Sequence, residues 1–186
     1  PFCVLVASSL EKLQNEYDLS LHWHAFELRP AGSPPMPPEY RKRIEAGQPM
    51  LQRRAREEYG IELNVGPMGI NSRPALVGEQ YARAQGLGNE YHDAVMHAYW
   101  REAKSIDDLQ LLKEIASGVG LDGEQFLAAL KQPEYEAAVD ADVEMAHEYG
   151  LDAVPALILG DKYLVMGAQP YAVLKQAVEQ AQKEGL

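Results

Sequence analysis

The sequence is short of cysteine, of positive charge and of long apolar runs, and each shortage excludes something. One cysteine in 186 residues rules out an internal disulfide framework and a multi-cysteine structural zinc site, and it fits a reducing compartment. Seventeen Lys and Arg against 28 Asp and Glu leave a formal charge of −11, which opposes the phosphate neutralisation on which nucleic-acid and anionic-membrane binders depend. No nucleic-acid partner and no membrane partner are expected. Apolar stretches break at Pro, Gly or charge within about eight residues, well short of the roughly 20 that a membrane-spanning helix needs. Internal repeats and low-complexity tracts are lacking apart from one proline-rich stretch. The chain opens at Pro1 with no initiator Met and no signal-peptide pattern, so the natural N-terminus is expected to lie upstream. What remains, 46% hydrophobic and 24% charged residues, is the composition of a globular protein with one large domain or a small domain carrying an insertion.

Apolar residues at Val6, Leu10, Leu13 and Tyr17 form one stripe of an amphipathic helix that begins at or near Cys3. Leu19, Leu21, Trp23 and Ala25 then alternate with Ser20, His22, His24 and Phe26, a period-two pattern that predicts a strand to about Leu28. Five prolines between Pro30 and Pro38 make a stiff connection that cannot pair in a sheet. From Glu39 to Gly150 the spacing is helical, with about six helices and a loop over 60–70. Start signals are Ser72 before Pro74, Asn89, Ser105 with Asp108, and Asp122 with Gln125; stop signals are Gly86, Gly118 and Gly150. Ala156–Leu159 and Tyr163–Met166, separated by Gly160-Asp161-Lys162, predict a β-hairpin. A last helix starts near Pro170 and aligns Tyr171, Leu174, Ala177, Val178 and Ala181 on one face.

Few residue patterns carry chemistry on their own. Cys3 in a first helical turn reads either as a small buried core residue or as a thiol beside a helix N-terminus. His22, His24, His92, His97 and His147 lack any zinc-motif spacing, so no metal and no other cofactor is expected. Asp140, Asp142 and Glu144 lack the glycine and spacing of a calcium loop and read as a solvated helix face. Gly66-Pro67-Met68-Gly69 and Gly86-Leu87-Gly88 lack the context of a phosphate cradle and read as turns. Tyr99 and Trp100 read as core or groove wall.

The order helix, strand, helical block, hairpin, helix, with one further strand before the first helix, resembles the thioredoxin fold with a large all-helical insertion, the α/β layout of the DsbA-like proteins. The N-terminal strand of that fold is then missing from the sequence, residues 1–38 and 151–186 make the thioredoxin-like domain, and residues 39–150 make the inserted helical domain. Pro1-Phe2-Cys3 resembles the end of a Cys-Pro-Phe-Cys redox motif, and Ala153-Val154-Pro155-Ala156 resembles the cis-proline loop of the fold. Gly160-Asp161-Lys162-Tyr163 with Val165-Met166-Gly167-Ala168-Gln169-Pro170 is similar to the ending of the FrnE-type branch. Phe26-Glu27-Leu28-Arg29-Pro30, Asn71-Ser72, Tyr99-Trp100-Arg101-Glu102 and Ser105-Ile106-Asp107 add to that likeness, which covers nearly the whole chain.

The resemblance implies a cytoplasmic thiol–disulfide oxidoreductase acting on protein or small-molecule thiols and disulfides, glutathione among them. Its attacking cysteine would stand immediately before Pro1, with Cys3 as the buried resolving thiol. Pro1, Phe2, Val154 and Pro155 would line the substrate site, a cis Pro155 turning the Val154 backbone outward to pair with an extended peptide. Glu27 at the strand end reads as solvated, with a role as a buried proton acceptor near the thiols as the alternative. Two other readings stay open. Kappa-class glutathione transferases and 2-hydroxychromene-2-carboxylate isomerases resemble the same layout with a Ser-Pro-x-Ser-like segment, so a serine before Pro1 would indicate that glutathione-dependent chemistry. A non-catalytic peptide-binding module that has lost its redox pair fits a single cysteine.

Overall fold

The computed structural model describes residues 1–30 and 32–185. The chain divides into two compact units, one of residues 1–22 with 147–186 and one of residues 23–146.

In the first unit, α1 (Phe2–Glu16) buries Val4, Leu5, Val6, Leu10 and Leu13 along one side. Each fully buried Val or Leu contributes roughly 1.5–3 kcal/mol, so this side fixes how the helix is turned about its axis. The hairpin β1 (Ala156–Leu159) and β2 (Tyr163–Met166) pairs antiparallel with Leu159 opposite Tyr163 and Ala156 opposite Met166. Gly160 and Asp161 both have positive φ, 55° and 54°, and the Lys162 N–H donates to the Leu159 carbonyl at 3.1 Å; this is the backbone that lets a tight turn follow the twist of its strands. Helix α8 (Tyr171–Lys183) buries Leu174, Val178 and Ala181 and packs against α1 and both strands. Polar contacts add to this packing. Glu16 accepts from the Tyr171 hydroxyl and from Lys175 Nζ, the latter at 2.7 Å, and the Tyr17 hydroxyl donates to Glu179 at 2.7 Å.

The second unit is helical: α2 (Pro38–Tyr59), α3 (Arg73–Ala84), α4 (Gly88–Trp100), α5 (Leu109–Gly118), α6 (Gly123–Ala129) and α7 (Pro133–Glu148), whose last turn passes out of the unit. Its core gathers Tyr81, Ala82, Tyr91, Val95, Leu112, Ala116 and Phe126. The ring of Phe126 lies tilted against Tyr91 at 5.4 Å and edge-on to Tyr81 at 6.1 Å between centroids. Gly78 lets these rings reach the α3 backbone, because a Cβ there would stand 2.6 Å from both the Tyr91 hydroxyl and Phe126 Cζ.

Six helices between residues 38 and 148, the hairpin and the last helix agree with the sequence expectations. Local details differ. Asp122 caps α6 as expected, accepting from the N–H groups of Glu124 and Gln125. The cap of α5 is Asp108 rather than Ser105, because the Asp108 carboxylate reaches the Gln110 N–H while the Ser105 hydroxyl donates to Asp107. Asn89 lies inside α4, which begins at Gly88. Gly118 is the last residue of α5, and the left-handed backbone beyond it falls on Gly120, φ 99°.

The strand expected over Leu19–Leu28 does not form. Its alternation is real, with Ala25 buried and Ser20, His22 and His24 exposed, but a strand is defined by a neighbour's ladder, and both strands of the sheet pair with each other. Polar side chains on helices meet the backbone instead. The Ala25 N–H donates to Asp142 at 2.9 Å, and Arg83 donates to the Trp23 carbonyl. Trp23 also stacks on His92, with ring centroids 4.1 Å apart. Asp142 is the centre of this arrangement: 7% exposed, it receives Gln80 Nε2 at 2.8 Å and lies 2.7 Å from His24 Nδ1 in addition to Ala25. The expected solvated face is therefore wrong at Asp142, whose charge is buried because three donors converge on it.

Three expectations about stability follow. Gly78→Ala should destabilise the chain by about 1–3 kcal/mol, since both obstructing rings are themselves fully packed, whereas Gly47→Ala in α2, where a Cβ meets nothing within 4 Å, should stabilise it by roughly 0.5–1 kcal/mol. Asp142→Ala should cost about 3 kcal/mol by stranding its donors. Urea unfolding midpoints measure all three, and unchanged midpoints for Gly78→Ala and Asp142→Ala would contradict the packing described.

Candidate functional site

The site expected from the sequence starts at the first turn of α1. Pro1 precedes the helix, and its carbonyl accepts the Leu5 N–H at 3.4 Å. Proline suits this place because it has no N–H to leave unpaired. The next residue, Phe2, is 42% exposed. Cys3 follows it and is half-buried, and the following three residues, Val4, Leu5 and Val6, are buried. The chain thus descends within one turn from an exposed aromatic ring to the interior, with the sulfur at the transition.

Burial pushes the Cys3 thiol up from its ordinary range, while its own backbone N–H acts the other way. Desolvation is the largest effect. At neutral pH the group is therefore held as a thiol. The first turn contains no acidic residue that would oppose a developing thiolate.

Val154 and Pro155 stand immediately before β1, in the same unit as α1. The bond between them is cis. Val154 is half-buried and Pro155 is buried. The Pro155 carbonyl accepts the Gly167 N–H at 2.8 Å, which ties the loop to the residue just after β2.

Other expected residues are occupied elsewhere. Glu27 belongs to the second unit and is not solvated: its side chain is 8% exposed and accepts Arg73 Nη1 at 2.9 Å. Arg73 also holds Asp140 at 2.6 Å. Glu27 thus serves as a buried partner of a guanidinium in the helical unit. His22 bonds to Ser20 at 2.9 Å, His24 to Asp142, and His92 to Glu79 at 3.2 Å. Among the described residues no three His, Cys, Asp or Glu side chains gather as metal ligands would. Tyr99 packs against the helical core and stands edge-on to Trp100. No helix among the described residues is long and apolar enough to cross a membrane.

Sequence reasoning missed the buried polar side chains Asp142 and Gln80. For Asp142 a signal was present. Val139, Asp142 and Ala146 follow one another at i, i+3 and i+7, so the carboxylate lies on the stripe that α7 buries.

Comparison with known proteins identifies the family and the fold. The profile of the DSBA-like thioredoxin domain matches residues 1–179. The chain is 30% identical to the uncharacterized protein YwbO of Bacillus subtilis (strain 168), over 99% of this chain and 93% of that one. It is 28% identical to a 2-hydroxychromene-2-carboxylate isomerase of Pseudomonas putida over 87% of this chain and 81% of the isomerase. The crystal structure of a probable DsbA oxidoreductase from Streptomyces coelicolor superposes with a TM-score of 0.86 at 27% identity, covering 99% of this chain and 86% of that chain. The fold is a thioredoxin fold of the DsbA type, mostly helical with a small sheet, in a family that includes oxidoreductases and isomerases. With a half-buried cysteine at the start of α1 and a cis-proline before the hairpin, the chain belongs to the DSBA-like thioredoxin domain family.

Proposed function

We propose that this protein is a thiol–disulfide oxidoreductase in which Cys3 is the resolving thiol and the attacking cysteine stands directly before Pro1. The observation that carries the reading is the setting of Cys3: first turn of α1, behind an exposed Phe2, half-buried and with its thiol pushed up. A thiol one turn earlier would adjoin the unpaired N–H groups of the helix start, which favour a thiolate. The sequence contains one cysteine, and the reading requires a second, which it assigns to the position before Pro1.

The chemistry then runs in two exchanges. The attacking thiolate forms a bond to one sulfur of a substrate disulfide, the substrate S–S bond breaks, and the other substrate sulfur leaves as a thiolate. Cys3 loses its proton, attacks the mixed disulfide and displaces the second substrate sulfur. The substrate disulfide is reduced by two electrons while the protein dithiol becomes a disulfide, which two equivalents of a small thiol such as glutathione reduce again. Run backwards, the same steps oxidise a substrate dithiol. In this reading Pro1 and the exposed Phe2 border the substrate beside the sulfur, and the Val154–Pro155 loop would supply the backbone edge along which an extended peptide pairs.

The likeness to the Pseudomonas putida isomerase supports a second reading, a glutathione-dependent isomerase or transferase. A serine before Pro1 would favour that chemistry, and a cysteine favours disulfide exchange.

Full-length protein is expected to reduce insulin disulfides with glutathione as reductant, and Cys3→Ser should accumulate mixed disulfides recoverable on non-reducing gels. Absence of both in a well-folded sample rejects the assignment. Cys3 itself should react with iodoacetamide at pH 7 at least about tenfold more slowly in the folded chain than in urea, with a rate that climbs only above the ordinary thiol range near pH 8.5. Equal rates in the two states would contradict the burial of the sulfur.

A further inference from the structure

One helix carries a charge opposite to that of the chain. Between residues 40 and 56, all within α2, lie six of the 17 Lys and Arg but one of the 28 Asp and Glu. The helix is also sparsely packed: of its 22 residues it buries Ala55 and Tyr59, both towards its C-terminal end. Arg43, Ala46, Met50 and Arg53 follow one another at i, i+3, i+7 and i+10 and are all exposed, so they form one open stripe. Met50 is 67% exposed, a large apolar side chain in the middle of that stripe. The ion pairs of α2 join Lys42 to Glu39, Arg54 to Glu58 and Arg56 to Glu62. Arg41, Arg43 and Arg53 enter none among the described residues, although the chain has carboxylates in excess.

The complementary surface stands on α7, which has six carboxylates and no Lys or Arg. Glu136, Asp140 and Glu144, at i, i+4 and i+8, are exposed, and so are Ala137 and Ala141 beside them. Asp140 is held by Arg73, whereas the Glu136 and Glu144 carboxylates enter no ion pair among the described residues. The two stripes match in length, about 15 Å from Arg43 to Arg53 and about 12 Å from Glu136 to Glu144 along their helix axes.

We infer that α2 of one copy lies along α7 of a second copy, in a two-fold dimer that makes this contact twice. Arg43 and Arg53 meet Glu136 and Glu144, and Met50 covers Ala137 and Ala141, whose small side chains let the helices approach closely. An exposed ion pair contributes little alone, so the apolar strip and the doubling by symmetry carry much of the association. Charge selects the occupant: a basic helix on a chain of net charge −11 finds its complement on every other copy. The contact uses no residue of α1 or the hairpin, so its failure leaves the thiol reading untouched, and the reverse holds too.

Sedimentation of the full-length protein under reducing conditions tests this. At about 0.1 mM protein and about 0.05 M salt the mass should be twice that of the monomer, and about 0.5 M salt should weaken the dimer about tenfold or more. Arg43→Glu with Arg53→Glu should weaken it at least as much, and so should Glu136→Lys with Glu144→Lys. Lys12→Glu with Lys183→Glu shifts the net charge equally and should leave the dimer intact. The two weakened variants mixed in equal amounts should associate again, because each basic stripe then faces an acidic one at both contacts. All the substituted positions are exposed, and unchanged urea midpoints certify the fold. A monomer under all these conditions, a dimer indifferent to the reversals, or a mixture that stays monomeric would overturn the inference.

Discussion

The account depends on the burial of one side of α1. Val4, Leu5, Val6, Leu10 and Leu13 leave water together, and the helix cannot turn about its axis without exposing several of them at a cost of kilocalories per residue. Cys3 has no freedom of its own under that constraint. It lies on the boundary between the buried stripe and the open side because its three successors are fixed inside. The same burial raises its thiol, so position and reactivity have one cause. The ties from Glu16 to Tyr171 and Lys175 and from Tyr17 to Glu179 anchor the far end of the helix to α8, and surface ties of this kind add little beyond packing.

The helical unit is organised differently. Its core is aromatic and its extended entry segment is held by polar side chains rather than by a sheet. Asp142, Gln80 and His24 form one set of partners and Glu27, Arg73 and Asp140 another. A buried carboxylate with three donors is tolerable, and the same carboxylate with none would be costly. These sets therefore specify where residues 23–27 lie more than they add net stability.

Much of the fold was legible in the sequence because its helices and hairpin are signalled locally. The stripe of α1, the Asp122 cap, the Gly160-Asp161 turn and the stripe of α8 each lie within a few neighbouring residues. The expected strand over Leu19–Leu28 shows the limit. Period-two spacing reports which way side chains face, and Ala25 does face inward, but pairing depends on a neighbour that spacing cannot reveal. Buried charge is similarly nonlocal: Asp142 meets Gln80 across 62 positions and Ala25 across 117. At Glu27 the local sequence allows a solvated group or a proton acceptor, whereas its partner, Arg73, is 46 positions away. For the candidate site, the helix start and the proline before the hairpin could be read from short motifs, whereas the half-burial of Cys3 required the packed stripe behind it.

Disulfide mapping of the full-length protein tests the central claim most directly. After oxidation with a small disulfide, proteolysis and mass spectrometry should recover Cys3 joined to the residue immediately before Pro1, the pair lighter by two hydrogens and restored by reductant. Recovery of Cys3 solely as a free thiol or as an adduct of the small molecule, from protein that is folded when oxidised, would contradict its role as the resolving partner of a dithiol.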